Sequence, residues 1–308
     1  MEDLFYQKLL HILPENHIKL KEKMENHTTL HIGGSADYFV TPAGTKEIKE
    51  IIALCHKEDM PFYVMGNGSN LLVSDEGYRG LIIKLGEEYS SIWVKEDGTV
   101  TAQAGVLLSK LANSIAKQSL TGFEFASGIP GTLGGAVTMN AGAYGGEMKQ
   151  CLTAAKVLDL EGNIFTLTGD ELELGYRTSI LQKKGYILLE AEMKLTPGKQ
   201  QGIFDRMQEL NRQRREKQPL EQYSAGSTFK RPEGYYAGKL ISDAGLRGYQ
   251  VGGAAVSTKH CGFLINKENA SAKDFVTLIH EVVRIVKEKF GVTLEPEVRF
   301  LGNFKREA

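Results

Sequence analysis

Two glycine-rich segments hold the residues best suited to gripping a ligand. Gly66-Asn67-Gly68-Ser69-Asn70-Leu71 follows a strand-like run at residues 61–65. A glycine-rich turn after a strand exposes several N–H groups in a small arc, a geometry that binds phosphate oxygens, although the same residues also suit a plain tight turn. The third glycine of the dinucleotide-binding fingerprint is missing and no helical pattern follows, so that motif is excluded. Gly128-Ile129-Pro130-Gly131-Thr132-Leu133-Gly134-Gly135-Ala136 then leads into Met139-Asn140-Ala141-Gly142-Ala143-Tyr144-Gly145. Small residues here let a bulky ligand lie against the backbone, and Thr132 and Asn140 offer side-chain hydrogen bonds. No Gly-Lys-Ser/Thr follows, which excludes a P-loop. Together the segments suit a pyrophosphate-containing cofactor with a large flat ring.

Three side chains elsewhere could act on a substrate. Ser227 lies in the small polar loop Ser224-Ala225-Gly226-Ser227-Thr228-Phe229-Lys230, which is not the nucleophile elbow of hydrolases. By residue type alone it reads as a loop serine. Arg177 stands beside an aromatic in Gly175-Tyr176-Arg177-Thr178-Ser179, a pattern equally compatible with a surface ion pair. Glu297, in Leu294-Glu295-Pro296-Glu297-Val298, falls just inside a strand-like run, where an inward-facing carboxylate needs a partner or a function. The histidines form no metal-binding pattern, so no metal site is expected.

These groups need elements to hold them. Apolar spacing predicts helices over residues 47–57, 109–118 with Ser109 as N-cap, 203–217 with a basic end at Arg212, Arg214, Arg215 and Lys217, and 272–290 closed by Gly291. Strands are expected at 38–40, 61–65, 81–85, 92–95, 100–104, 156–159, 164–167, 187–195 and 298–301, with a hairpin turn at 161–163. Both types mix without a regular βαβ beat, which favours an α+β fold over a doubly wound sheet.

Composition narrows the function. The 308 residues predict two or three domains. A net charge of -1 argues against bulk binding to nucleic acid or an anionic membrane. The three cysteines form no CxxC pair and read as reduced thiols. Residues 1–20 lack the apolar run of a signal peptide, and no stretch approaches the roughly 18 apolar residues of a membrane helix, so a cytoplasmic protein is expected.

The order of motifs resembles the UDP-N-acetylenolpyruvoylglucosamine reductase family. It runs through the Gly66 and Gly128 segments, Met139 to Ala143, Tyr176 to Ser179, Ala225-Gly226-Ser227 and Glu295-Pro296-Glu297-Val298, and the likeness spans residues 26–302. The resemblance implies a PCMH-type FAD-binding region of two α+β subdomains, at 1–88 and 89–198, then an α+β substrate-binding domain at 199–308. It implies NADPH-dependent reduction of UDP-N-acetylglucosamine enolpyruvate to UDP-N-acetylmuramate for peptidoglycan, by a monomer that holds FAD noncovalently. No histidine lies in residues 65–72 to form the covalent link of some relatives.

The same resemblance makes Arg177, Ser227 and Glu297 catalytic. It places FAD against Gly66, Asn67, Gly68, Ser69, Asn70, Leu71, Gly128, Ile129, Pro130, Gly131, Thr132, Gly135, Ala136, Asn140 and Gly142. Tyr223, Lys230 and Arg231 are candidate contacts to the diphosphate or sugar. The short spacing from Arg177 to Ser227 resembles the compact subtype, without the tyrosine-bearing insertion that covers substrate in longer members. Another PCMH-type oxidoreductase, or a non-catalytic flavin or nucleotide-sugar binding module, is the competing reading.

Overall fold

The computed structural model describes residues 3–304. It is a mixed fold in two compact units. Among the described residues the first gathers 3–19, 38–67 and 80–214, and the second gathers 20–37, 68–79 and 215–304. Leu71–Val73 pairs in parallel with Arg299–Leu301, which draws an early segment into the second unit. The ends of the expected division, 1–2 and 305–308, lie outside the described residues.

In the first unit an antiparallel sheet runs in the order Ile164–Thr168, Leu152–Leu158, Ile187–Lys194, Thr99–Gln103, Ile92–Val94. Leu152–Leu158 and Ile164–Thr168 form the expected hairpin, with Gly162 at φ 88 in its turn. The helix Leu133–Thr138 packs on the sheet. A parallel pair, Phe62–Met65 with Leu81–Lys84, ends at the Gly66 loop. The helix Thr45–Lys57 buries Ile48, Ile51, Ile52 and Cys55, the stripe read from the sequence. Burial pushes the thiols of Cys55 and Cys151 up to about 12, so both are neutral.

Leu133–Thr138 has no apolar signature and contains Gly134 and Gly135, poor helix formers. Tertiary bonds hold it instead. Leu133 N donates to Val106 O at 2.8 Å and Gly134 N to Ala104 O at 2.8 Å. The next helix back, Leu108–Lys117, is N-capped by Leu107 rather than Ser109. Its first amide donates to Gly131 O at 3.0 Å, so backbone replaces the capping side chain.

The second unit sets the antiparallel strands Tyr223–Ser224, Leu264–Asn266, Ala254–Val256 and Gln250–Val251 against the helix Ala272–Phe290. That helix has the predicted limits, with Gly291 at φ 69 as its C-cap. At its start Ser271 Oγ accepts from Asp274 N at 3.0 Å, and Asp274 Oδ2 accepts from Ser271 N at 3.1 Å. The Asp75 carboxylate takes the next two amides, Ala272 N at 2.7 Å and Lys273 N at 3.1 Å. No described helix is long and apolar enough to cross a membrane. Replacing Ser271 by alanine is expected to cost about 1 kcal/mol in a urea titration. An unchanged midpoint would show that Asp75 alone satisfies this helix end.

Candidate active site

The glycine segments nest together within the first unit. Asn67 Nδ2 donates to Pro130 O at 2.8 Å, tying the end of the first segment to the second. A Cβ on Gly66 would fall well inside contact distance of Thr132 Oγ1, so the two chains approach closely because Gly66 lacks one. Gly142–Ala143 pairs with Gly146–Glu147 across a turn in which Tyr144 and Gly145 have φ 52 and 84. Positive φ at both central residues matches the twist of a two-residue hairpin. Gly68, Ser69, Asn70 and Leu71 belong to the second unit. There Leu71 is buried in its parallel pair, and Asn70 Nδ2 donates to Glu297 O at 3.1 Å.

Several features of the second glycine segment suit a polar ligand. Ser127 is 8% exposed and its Oγ has no protein partner. A buried hydroxyl left unmatched costs free energy, which a bound acceptor or donor would offset. Gly135 is exposed, and a Cβ there would meet nothing nearer than Thr132 Oγ1 at 3.9 Å. A half-buried cation stands next to this loop: a Cβ on Gly128 would touch Asn211 Oδ1 and lie 3.2 Å from Arg214 Cδ. Burial lowers the pKa of Arg214, partly offset by Tyr144, from a value so high that the guanidinium stays charged.

The sequence reading left Asn211 and Arg214 out of the site. The signal was present: Ile203, Met207 and Leu210 are the buried stripe of Gln200–Lys217, and Arg214 continues that stripe one turn on. Asn140 is 2% exposed, and its amide is engaged by protein, donating to Glu147 Oε2 at 3.2 Å and Gly175 O at 3.1 Å and accepting Lys149 N at 2.9 Å.

Arg177 also lies in the first unit, on a tight turn in which Gly175 and Thr178 exchange backbone bonds of 3.1 and 3.3 Å. Its guanidinium carbon is 5.5 Å from the centre of the exposed Tyr176 ring. The turn is anchored by Ser179, fully buried, whose hydroxyl donates to Thr138 O at 2.7 Å.

In the second unit Ser227 and Glu297 are brought together. Thr228 O accepts from Glu297 N at 2.7 Å, and Glu295 O accepts from Lys230 N at 2.9 Å. Ser227 is exposed between two buried neighbours, Ala225 and Thr228. Thr228 is held by N–H donation to Gly262 O at 2.9 Å and by its hydroxyl, which accepts Leu264 N at 3.1 Å. That pinning fixes the backbone on either side of the exposed Ser227, beside Gly226, whose missing Cβ has nothing within 4 Å. Of the expected substrate contacts, Lys230 pairs with Glu295, Arg231 lies 4.1 Å over the Tyr236 ring, and Tyr223, 54% exposed, stacks on His31 at 4.0 Å.

Comparison with known proteins gives this arrangement its class. A family model described as an FAD binding domain matches residues 36–168. A second, described as the C-terminal domain of UDP-N-acetylenolpyruvoylglucosamine reductase, matches residues 218–301. The chain is 54% identical over 305 residues to the UDP-N-acetylenolpyruvoylglucosamine reductase of Lachnoclostridium phytofermentans, covering 98% of each. It is 50% identical to that of Clostridioides difficile, covering 96% of this chain and 97% of the relative. The crystal structure of the Thermus caldophilus enzyme superposes with a TM-score of 0.77 at 37% identity, covering 92% of this chain and 98% of that one. A glucose dehydrogenase, Phl p 4.0202, matches at TM-score 0.50 and 16% identity over 64% of this chain, a likeness of fold alone. The fold is thus a mixed one with a PCMH-type FAD-binding domain, and the chain belongs to the UDP-N-acetylenolpyruvoylglucosamine reductase family.

The close packing of the two glycine segments has a direct test. Gly66→Ala is expected to lower stability by about 1–3 kcal/mol through overpacking against Thr132, measured by thermal unfolding. Adding Thr132→Ala should relieve part of that loss. A neutral single variant would show that the loop shifts freely.

Proposed function

We propose that this protein reduces UDP-N-acetylglucosamine enolpyruvate to UDP-N-acetylmuramate with NADPH and noncovalently bound FAD, in the cytoplasmic assembly of peptidoglycan precursors, with Arg177, Ser227 and Glu297 acting on the substrate. The observation that carries the assignment of roles is the pinned Ser227 loop, clipped by backbone bonds to the strand segment that bears Glu297. Residues 1–88 and 89–198 supply the FAD-binding portions in this reading, and 199–308 the substrate-binding portion. The glycine segments at 66–71 and 128–136 hold the cofactor, with Ser127 and Arg214 as additional polar contacts. Tyr223 and Arg231 present a flat ring and a guanidinium to the nucleotide sugar.

FAD held by the glycine segments and reduced by NADPH would supply hydride chemistry to the vinyl carbon distal to the substrate carboxylate, and negative charge would develop on the carbon that bears the carboxylate. Arg177 stabilises that charge with a fixed, planar cation. Ser227 delivers the proton that quenches it. An alcohol is a weak acid, so the donor must be well oriented, and the buried anchors on both sides of Ser227 provide that orientation. Glu297 polarises the same carboxylate through a hydrogen bond.

Stopped-flow spectroscopy separates the two half-reactions. Ser227→Ala is expected to keep NADPH-driven flavin bleaching while reoxidation by the enolpyruvyl substrate slows by roughly 10²–10⁴-fold. Turnover equal to the parent would remove Ser227 from the mechanism, and a folded protein that cannot be loaded with FAD would end the whole reading. Arg177→Lys, a point charge in place of a fork, is expected to slow reoxidation by roughly 10²-fold or more. Full activity would leave Arg177 a structural role only.

A further inference from the structure

The turn that carries Arg177 is closed by reciprocal backbone bonds between Gly175 and Thr178, at 3.1 and 3.3 Å. Arg177 itself sits at φ 55, in the left-handed region that is unfavourable for any residue with a Cβ. Something outside the turn must hold that backbone in place. Two residues of the glycine-rich segment do so: Thr138 O receives the hydroxyl of Ser179 at 2.7 Å, and Asn140 Nδ2 reaches Gly175 O at 3.1 Å.

Asn140 is well built for the second task. It is 2% exposed, and its own φ of 43 is a conformation asparagine tolerates better than most residues. Its remaining amide hydrogen goes to Glu147 Oε2 and its oxygen takes Lys149 N, so the carboxamide plane is fixed by three partners on two stretches of chain. A side chain held this way does not rotate to meet a ligand. What it transmits is position, from the Gly142–Glu147 hairpin to the residue two before Arg177.

We infer that Asn140 is a positioning residue for Arg177, setting where the guanidinium meets the developing charge without touching substrate or cofactor. This rests on the charge-stabilising role given above to Arg177. A small displacement of a preorganised cation is costly, since a shift of about 1 Å at a reacting centre lowers rate by roughly 100-fold.

Two variants test it. Asn140→Asp keeps the side-chain size and the acceptor for Lys149 N but removes both N–H donors. Asn140→Gly keeps the left-handed backbone and deletes the amide, and it carries the test should the carboxylate beside Glu147 impair folding. In both, hydrogen exchange of the peptide spanning residues 174–179 should accelerate. NADPH-driven flavin bleaching should be unchanged, while reoxidation by substrate slows by roughly 100-fold. Combining Asn140→Gly with Arg177→Lys should slow reoxidation no further than Arg177→Lys alone, because both act through one group. Multiplying effects, or a normal reoxidation rate in the Asn140 variants, would overturn the inference while leaving the role of Arg177 standing. A normal rate in Arg177→Lys itself would instead remove that role and the inference with it.

Discussion

A loop that presents its backbone to a ligand has no neighbouring strand to satisfy its N–H and C=O groups, yet a buried polar group without a partner costs about 1–3 kcal/mol. In this protein asparagine side chains bond such carbonyls, from the exposed Pro130 to the fully buried Leu30. Asn67 donates to Pro130 O, Asn70 to Glu297 O and Asn140 to Gly175 O. Asn266 donates to Leu30 O at 3.0 Å while its oxygen takes Ala270 N at 2.7 Å. The carboxamide suits the task because it carries two donors and an acceptor on a short stem. Asp cannot replace it at these positions, since a carboxylate facing a carbonyl oxygen is an acceptor against an acceptor.

This bracing also explains how irregular chain can be stiff enough for chemistry. The Ser227 loop and the Glu297 segment share only a few backbone bonds, but Asn70 holds the Glu297 carbonyl from a third stretch of chain. The Arg177 turn is tied at both ends to residues 138 and 140. Under the roles proposed for Arg177, Ser227 and Glu297, preorganisation is distributed over these bracing bonds, which is how electrostatic stabilisation avoids reorganising at the moment of reaction.

The regular elements were legible in the sequence because their apolar period is strong. The helix Ala272–Phe290 and the stripe Ile48, Ile51, Ile52, Cys55 needed nothing beyond spacing. The helix Leu133–Thr138 was not legible, since its glycines oppose helix formation and Val106 and Ala104 hold its first amides. Ser109 looked like a cap for the same reason: the carbonyl that replaces it comes from Gly131, far along the chain. As for the site, residue types alone left Ser227 an ordinary loop serine. Only the ordered motifs singled it out, and the burial of Ala225 and Thr228 on either side of it supplies the physical reason its loop is held in place.

The glycine excess, read from sequence as one signal of ligand approach, divides into two kinds. Gly66, Gly128 and Gly142 are filled from within, because a Cβ on each would collide with Thr132, Asn211 or Gly146. These are packing glycines, and they say little about a ligand. Gly135 is different. It lies in a helix, where alanine is more favourable by about 1 kcal/mol, and no protein atom comes within 3.4 Å of the place its Cβ would occupy. Neither chain packing nor helix formation accounts for glycine there. The volume of the missing methyl group is open space that the proposed cofactor would occupy.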